Sequence, residues 1–355
     1  MLKSALSSLA RKDDLTQQEA YETMKAIMNG EATPAQIGGL LLALRLKGET
    51  ISEITGFAQA MRDCAQPIAC QGEVADTCGT GGDGAGTFNI STTVAFVAAA
   101  CGVSIAKHGN RAITSKSGSA DLLSALGVKI DLTPQEVAGC IAKTGIGFLF
   151  APTFHQAMRH AAGPRRELGI RTVFNLLGPL TNPAAPAYQS LGIWERRLVP
   201  VAAEVLRELG AKGVMVFHGA GGLDELSLSG ENFVAELRDG SIKEYALLPQ
   251  DAGLEPAPLS AIQGGLPEEN AAITLEILAG QKGPRRDVVL FNAAALLKAA
   301  GVCDDWKEAV AMAGRAIDSG KAAQRLEALR IAAREVRCGA VSDGCGQEKA
   351  IGAGR

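Results

Sequence analysis

The chain lacks any stretch of about 18 uncharged apolar residues, the length a membrane-spanning helix needs. Its nearest candidate, TTVAFVAAACGVSIA, is too short and is broken by a glycine. The opening MLKSALSSLARKDD has no apolar core of the kind an export signal requires, so the expected setting is cytoplasmic with no membrane partner. A basic excess is missing as well. Lys and Arg total 35 against 38 Asp and Glu, a formal charge of −3, which argues against a nucleic-acid partner. No CxxC pair occurs among Cys64, Cys70, Cys78, Cys101, Cys140, Cys303, Cys338 and Cys345. His108, His155, His160 and His218 supply no zinc spacing. Scattered thiols of this kind read as reduced and structural. Cys78 is included, because no base stands beside it in the sequence.

What is present divides into two textures. Up to about residue 70 the pattern is all helical. LTQQEAYETMKAIMNG ends at Gly30, TPAQIGGLLLALRLKG opens with Thr33 as N-cap and Pro34 at the first position, and Thr50 with Glu53 makes a capping box. From about Val74, short apolar runs alternate with helical segments. VADTC, VSIA, VKI, IGFLF, YQSLGI, GVMVF and DVVLF are expected strands. SADLLSALG, PQEVAGCIAKTG, RRLVPVAAEVLRELG and PEENAAITLEILAG are expected helices. That alternation predicts a mostly parallel sheet with crossover helices, so the fold class is α/β with a small helical domain in front. NFVAELRDGSIKEYAL reads as a hairpin about Asp239-Gly240. The segment 337–355, small, polar and glycine-rich, is expected to be a disordered tail.

The chemistry gathers around ADTCGTGGDGAGTFNIST. Gly79 through Gly84 fit G-x-G-x-x-G, but a dinucleotide site also needs an acid about twenty residues on. No Asp or Glu occurs between Gly84 and Ala120, whereas Lys107, His108, Arg111 and Lys116 do. A Walker A loop is excluded, since Ala85 follows Gly84 where that motif needs Lys. The expected ligand is therefore highly anionic, cradled by backbone N–H groups and by the start of the helix near Ser91 and Thr92, with Gly79 letting the backbone approach it. The bland alternative makes Asn89 or Ser91 a simple helix cap. Lys107 is expected at the carboxyl edge of the strand VSIA, and Ser115 and Ser119 flank a second glycine turn, as for a ligand with two separate phosphate groups. Downstream, Asp224-Glu225 follow the strand GVMVF on a glycine turn, where carboxylates can share Mg²⁺ with phosphate oxygens.

GTGGDGAGTFNIST, KHGNRAITSKSGSAD, PRRELGIRTVFNLLGPLTNP and GLDELSLSG, in this order, resemble the anthranilate phosphoribosyltransferase family up to about residue 335. The resemblance implies a fold of the nucleoside phosphorylase/phosphoribosyltransferase type. Its helical domain, 1–70, is completed by about 165–185, and its α/β domain comprises 73–164 and 186–336. It implies transfer of the phosphoribosyl group of phosphoribosyl pyrophosphate (PRPP) to the amine of anthranilate, a step of tryptophan biosynthesis, in a homodimer joined through helical domains. It also implies Mg²⁺, as two ions.

By the same resemblance, Gly79, Gly82, Asp83, Thr87, Asn89, Ile90, Ser91 and Thr92 line the PRPP site. Lys107, His108, Gly109, Asn110, Arg111, Ala112, Ile113, Thr114, Ser115 and Ser119 continue it. Ser91, Asp224 and Glu225 touch metal. Gly79, His108, Asn110, Arg165, Gly178 and Pro179 form the anthranilate pocket, and Lys107, Asp83 and Arg165 are the catalytic candidates. One departure is Gln156 after His155, where many relatives carry proline. Anthranilate's amine needs no strong base before attack. Departure of pyrophosphate needs charge absorbed by Mg²⁺ and Lys107, with inversion at C1 of the ribose, and Arg165 offers a fork for the carboxylate. The rivals are a pyrimidine-nucleoside-phosphorylase-like enzyme, which would carry lysine and serine soon after the glycine loop, and a non-catalytic nucleic-acid binder, which would need a basic stripe.

Overall fold

The computed structural model describes residues 2–112 and 115–335. Ile113, Thr114 and the expected tail lie outside them. Helices α1 (Leu2–Ala10), α2 (Gln17–Met28), α3 (Pro34–Lys47) and α4 (Ile51–Asp63) come first. Three of them begin at threonine capping boxes, Thr16 with Glu19, Thr33 with Gln36 and Thr50 with Glu53, so each start is written locally in the sequence.

Strand β1 (Ala75–Gly79) then leads through the glycine loop into α5 (Ile90–Ala100). Next come β2 (Ile105–Gly109), α6 (Ser119–Ala125), α7 (Pro134–Thr144), β3 (Ile146–Phe150) and the single turn α8 (Ala151–Phe154). Helices α9 (Arg159–Leu168) and α10 (Val173–Leu180) precede β4 (Tyr188–Gly192), α11 (Leu198–Glu208) and β5 (Gly213–His218). The hairpin β6 (Asn232–Arg238) and β7 (Ser241–Leu247) follows, turning at Asp239-Gly240. Helices α12 (Pro267–Leu278), α13 (Pro284–Ala299), α14 (Trp306–Asp318) and α15 (Lys321–Glu335) complete the described chain.

The seven strands form one sheet in the order β3-β2-β1-β4-β5-β6-β7, parallel from β3 to β5 and antiparallel across β6 and β7. Side chains alternate between its faces. Met215 and Phe217 join a core with α5, α13 and α15, while Val214 and Val216 join one with α4 and α11. The second core runs on into α1–α3, and α9 packs on α3 and α2 while α10 packs on α4 and α3. The chain leaves β1 toward β2 and β3, then returns to β4 on the other side of β1. That reversal opens a crevice at the carboxyl ends of the strands.

Two expected strands are absent. DVVLF lies inside α13, whose residues from Val288 to Ala299 are all buried. A helix buried all round carries apolar runs that mimic an inner strand. VKI is an extended segment in which Val128 and Ile130 are buried, but it pairs with nothing, because β3 already occupies that edge of β2.

Candidate active site

The glycine loop leaves β1 at the crevice, with Gly81, Gly82, Gly84 and Gly86 all at φ between 67° and 76°, a region that side chains avoid. Its base is held by β4 and the residues beyond it: Thr80 N–H donates to Gly192 O at 3.0 Å, and Trp194 N–H to Thr80 Oγ1 at 3.2 Å. Its far end is held by the 262–265 segment, through Gln263 Nε2 to Ala85 O (2.9 Å) and Gly264 N–H to Gly86 O (2.9 Å).

Gly79 does not behave as expected. Its close approach is to protein: an added Cβ would lie 2.8 Å from both Cγ and O of Asp224. Its register partner Gly192 is tighter still, because a Cβ there would overlap the Asp224 carbonyl. The two glycines make the bed in which Asp224-Glu225, on the loop after β5, lie across the ends of β1 and β4. From there Asp224 Oδ2 accepts from Gly81 N–H at 2.6 Å, and Glu225 Oε1 from Ser91 N–H at 3.1 Å. The start of α5 therefore does meet an anion, and in this structure the anion is Glu225.

Lys107 is not at a strand end. It sits within β2, is 3 % exposed, and donates from Nζ to Thr77 O at 2.6 Å and to Ser91 Oγ at 3.4 Å. Burial pushes the Glu225 carboxyl up to about 7, against the pull of Lys107. Burial, then Asp83 and Glu225, push Asp224 well above the carboxylate range. Asp83 accepts from Ala85 N–H at 3.0 Å through Oδ1, while its covered Oδ2 has no hydrogen-bond partner. Three acids thus converge, and burial together with their proximity disfavours the charged forms of Asp224 and Glu225. Among the described residues no cluster of three or more His, Cys, Asp or Glu is arranged to hold a metal by protein alone.

Asn89 is not a cap. Its side chain donates to Ser117 O (3.0 Å) and accepts from Ser117 Oγ (3.0 Å) and Asn270 Nδ2 (2.9 Å), pinning the first loop to the second and to α12. Ile90 and Thr92 are buried at 1 % exposure each, so their side chains pack into the interior and do not line an open site. Thr87 bridges to Gln263. In the second loop Asp121 gathers Ala112 N–H (2.9 Å), Gly118 N–H (3.0 Å) and Arg111 (2.8 Å). Asn110 caps Arg111 N–H, its carbonyl accepts from Ser119 Oγ at 3.3 Å, and Ser119 packs against Gly109. Ser115 Oγ donates to Ser117 O at 3.4 Å.

Arg165 lies 4.8 Å over the Phe174 ring and forms no salt bridge among the described residues, and burial holds its guanidinium below the usual range. The His108 and His155 rings are 5.1 Å apart. Burial lowers both, His155 to about 4, although His108 hydrogen-bonds the Gly178 backbone and His155 that of Thr181. Two neutral imidazoles therefore stand against the end of α10. Pro179 O accepts from Gln189 Nε2 at 2.8 Å.

Sequence reasoning missed Asp76 and Asn182, both fully buried. Asp76 accepts from Thr77 N–H (2.8 Å), His108 N–H (3.3 Å) and Asn182 Nδ2 (2.8 Å), knitting β1 to β2 beneath the site. An acid in the middle of the apolar run VADTC was the available signal. Cys78 is buried and burial raises its thiol, as suits an inert cysteine.

Family models described as glycosyl transferase family, helical bundle domain, and glycosyl transferase family, a/b domain, match residues 3–65 and 71–323. The anthranilate phosphoribosyltransferase of Symbiobacterium thermophilum is 53% identical over 330 residues, 93% of this chain and 97% of that one. That of Desulforudis audaxviator is 54% identical over 330 residues, 93% and 95% of the two chains. Among solved structures, the Thermus thermophilus enzyme superposes with a TM-score of 0.89 at 49% identity, covering 93% of this chain and 99% of the other. The Saccharomyces cerevisiae enzyme in complex with PRPP and Mg does so at 0.86 and 30%, covering 94% and 98%. With the helical bundle, the reversed parallel sheet and the glycine-bedded acidic pair, these matches place the chain: it belongs to the anthranilate phosphoribosyltransferase family.

Proposed function

We propose that the chain transfers the 5-phosphoribosyl group of PRPP to the amine of anthranilate and releases pyrophosphate. The observation that carries this reading is the meeting of Glu225, Lys107 and the start of α5 at Ser91, one carboxylate, one buried cation and one helix N-terminus. Asp224, Glu225, Asp83 and Ser91 are oxygen donors of the type Mg²⁺ takes, and a cation there would relieve the crowding of carboxyls and engage the unpartnered Asp83 Oδ2. Bound there, Mg²⁺ supplies Lewis-acid neutralisation of the pyrophosphate oxygens. We assign two ions, one near Ser91 and one near Asp224-Glu225.

The residues of the chain would then act mainly by position. The glycine loop and the Asn89–Ser119 segment hold the phosphates and ribose through backbone N–H groups and hydroxyls. Lys107 absorbs charge on the departing pyrophosphate, and Asp83, at the loop tip, faces the cation site. Arg165 grips the acceptor carboxylate, stacked on Phe174 so that its planar fork is already oriented. Neutral His108 and His155, with Gly178, Pro179 and Asn110, wall the acceptor pocket. No strong base is needed, and none of these groups supplies one.

The proposed domain division, 1–70 completed by about 165–185 and 73–164 with 186–336, is supported by the packing of α9 and α10 on α2–α4. Exposed Leu42 and Leu46 on α3 and Ile51 on α4 support a homodimer joined through the helical domains. Six free cysteines among the described residues accord with a reducing, cytoplasmic setting. Purified protein with PRPP and Mg²⁺ should consume anthranilate, followed by loss of its fluorescence. Phosphorolysis of a pyrimidine nucleoside with no anthranilate consumed would overturn the reading. Light scattering checks the dimer.

A further inference from the structure

The tip of the glycine loop has one tie that comes from the acceptor wall. Arg171 lies between the end of α9, which carries Arg165, and Thr172, the N-cap of α10, which carries Gly178 and Pro179. Its Nη2 donates to Gly82 O, and its guanidinium stacks 5.4 Å over the Trp194 ring. Trp194 in turn receives the base of the same loop through Thr80. Gly82 is at φ 76°, a backbone state that favours glycine, and the Arg171 guanidinium lies against its open face. The contact is solvent-exposed and makes no ion pair among the described residues, so its contribution to global stability is small. What it does is geometric. One planar side chain joins the loop that carries Asp83 and meets Asp224 to the short connection between the two helices of the acceptor pocket.

We propose that Arg171 is a positioning residue that couples the two halves of the site: by clasping Gly82 it lets occupancy of the acceptor pocket and ordering of the phosphate loop favour one another. This rests on the proposed transferase reading. A side chain that bridges two binding surfaces transmits ordering in both directions, because coupling between two ligands is reciprocal. Lysine is a poor substitute, since it can neither stack flat on Trp194 nor present a fixed fork.

The test is an initial-rate matrix over PRPP and anthranilate for wild type, Arg171→Ala and Arg171→Lys, with titration of PRPP–Mg²⁺ alone and thermal unfolding of each. In wild type the apparent KM for PRPP should fall by about 5-fold or more as anthranilate rises, the lower end of ordinary coupling. In both variants that fall should shrink to less than about 2-fold, with PRPP–Mg²⁺ binding alone within about 3-fold of wild type and little change in Tm. Arg171→Lys carries the comparison should the alanine variant fail to fold. Coupling that survives in the variants, coupling absent from wild type, or outright loss of PRPP binding in Arg171→Lys overturns the proposal while leaving the transferase reading standing. Wild type that consumes no anthranilate at all removes both.

Discussion

Gly192→Ala should be among the most damaging single-methyl additions the chain can suffer. The new Cβ would overlap the Asp224 carbonyl and lie 3.0 Å from Glu225 N. Both are backbone atoms, so no rotamer change relieves the clash. Ordinary carbon contacts lie at about 3.5–4.0 Å, so the 224–225 backbone must move by more than about 1 Å. Overpacking of this kind costs about 1–3 kcal/mol, which a domain of this size survives with a modest fall in Tm. The larger effect is on function. Asp224 would be pulled from Gly81 N–H and Glu225 from Ser91 N–H, and a misplacement of about 1 Å at a catalytic centre costs on the order of 10²-fold. Gly139→Ala is the control. It lies in α7 with nothing within 4 Å of an added Cβ, and it should be neutral or stabilise by up to about 1 kcal/mol. The assay is kcat at saturating PRPP and Mg²⁺ alongside thermal unfolding. A Gly192→Ala enzyme with near-normal kcat would refute the claim that the two glycines seat the acidic pair.

Lys107→Met should lower kcat by about 10²–10³-fold, as expected for loss of a preorganised charge, and isothermal titration calorimetry of PRPP–Mg²⁺ binding should show weakened binding as well. Arg165→Ala should raise KM for anthranilate far more than KM for PRPP, and an equal rise in both would make it structural. Glu225 is raised to about 7 in the fold, so it binds a proton more tightly folded than unfolded. Its contribution to apo stability is therefore present below about 4.5 and lost as pH rises through 7. Mg²⁺ must displace that proton, so apparent Mg²⁺ affinity in the presence of PRPP should strengthen from pH 6 to 8, and Glu225→Gln should flatten the profile.

Local signals were enough for the elements whose starts and stops depend on near neighbours. The Thr50–Glu53 capping box, the Thr33 N-cap, the Asp239-Gly240 turn and the glycine loop are each decided by residues within a few positions, and the sequence named them. Periodicity failed where burial is complete, as in α13, because an apolar run facing core on all sides has no polar face to report its period. The motifs also named the participants of the site, since Asp224-Glu225, Lys107 and the serines belong to segments with a recognisable order. Their relations to one another could not be read along the chain. Gly79 and Gly192 are register partners across two strands, Glu225 reaches Ser91 over 134 positions, and Arg171 meets Gly82 over 89. Asp76 looked like one acid in an apolar strand until Asn182 and the backbone of His108 closed around it. Composition and short-range stereochemistry determined which backbone states and chemical groups this protein owns. The reversal of the sheet at β1, a matter of packing between distant strands, decided which of those groups share a crevice.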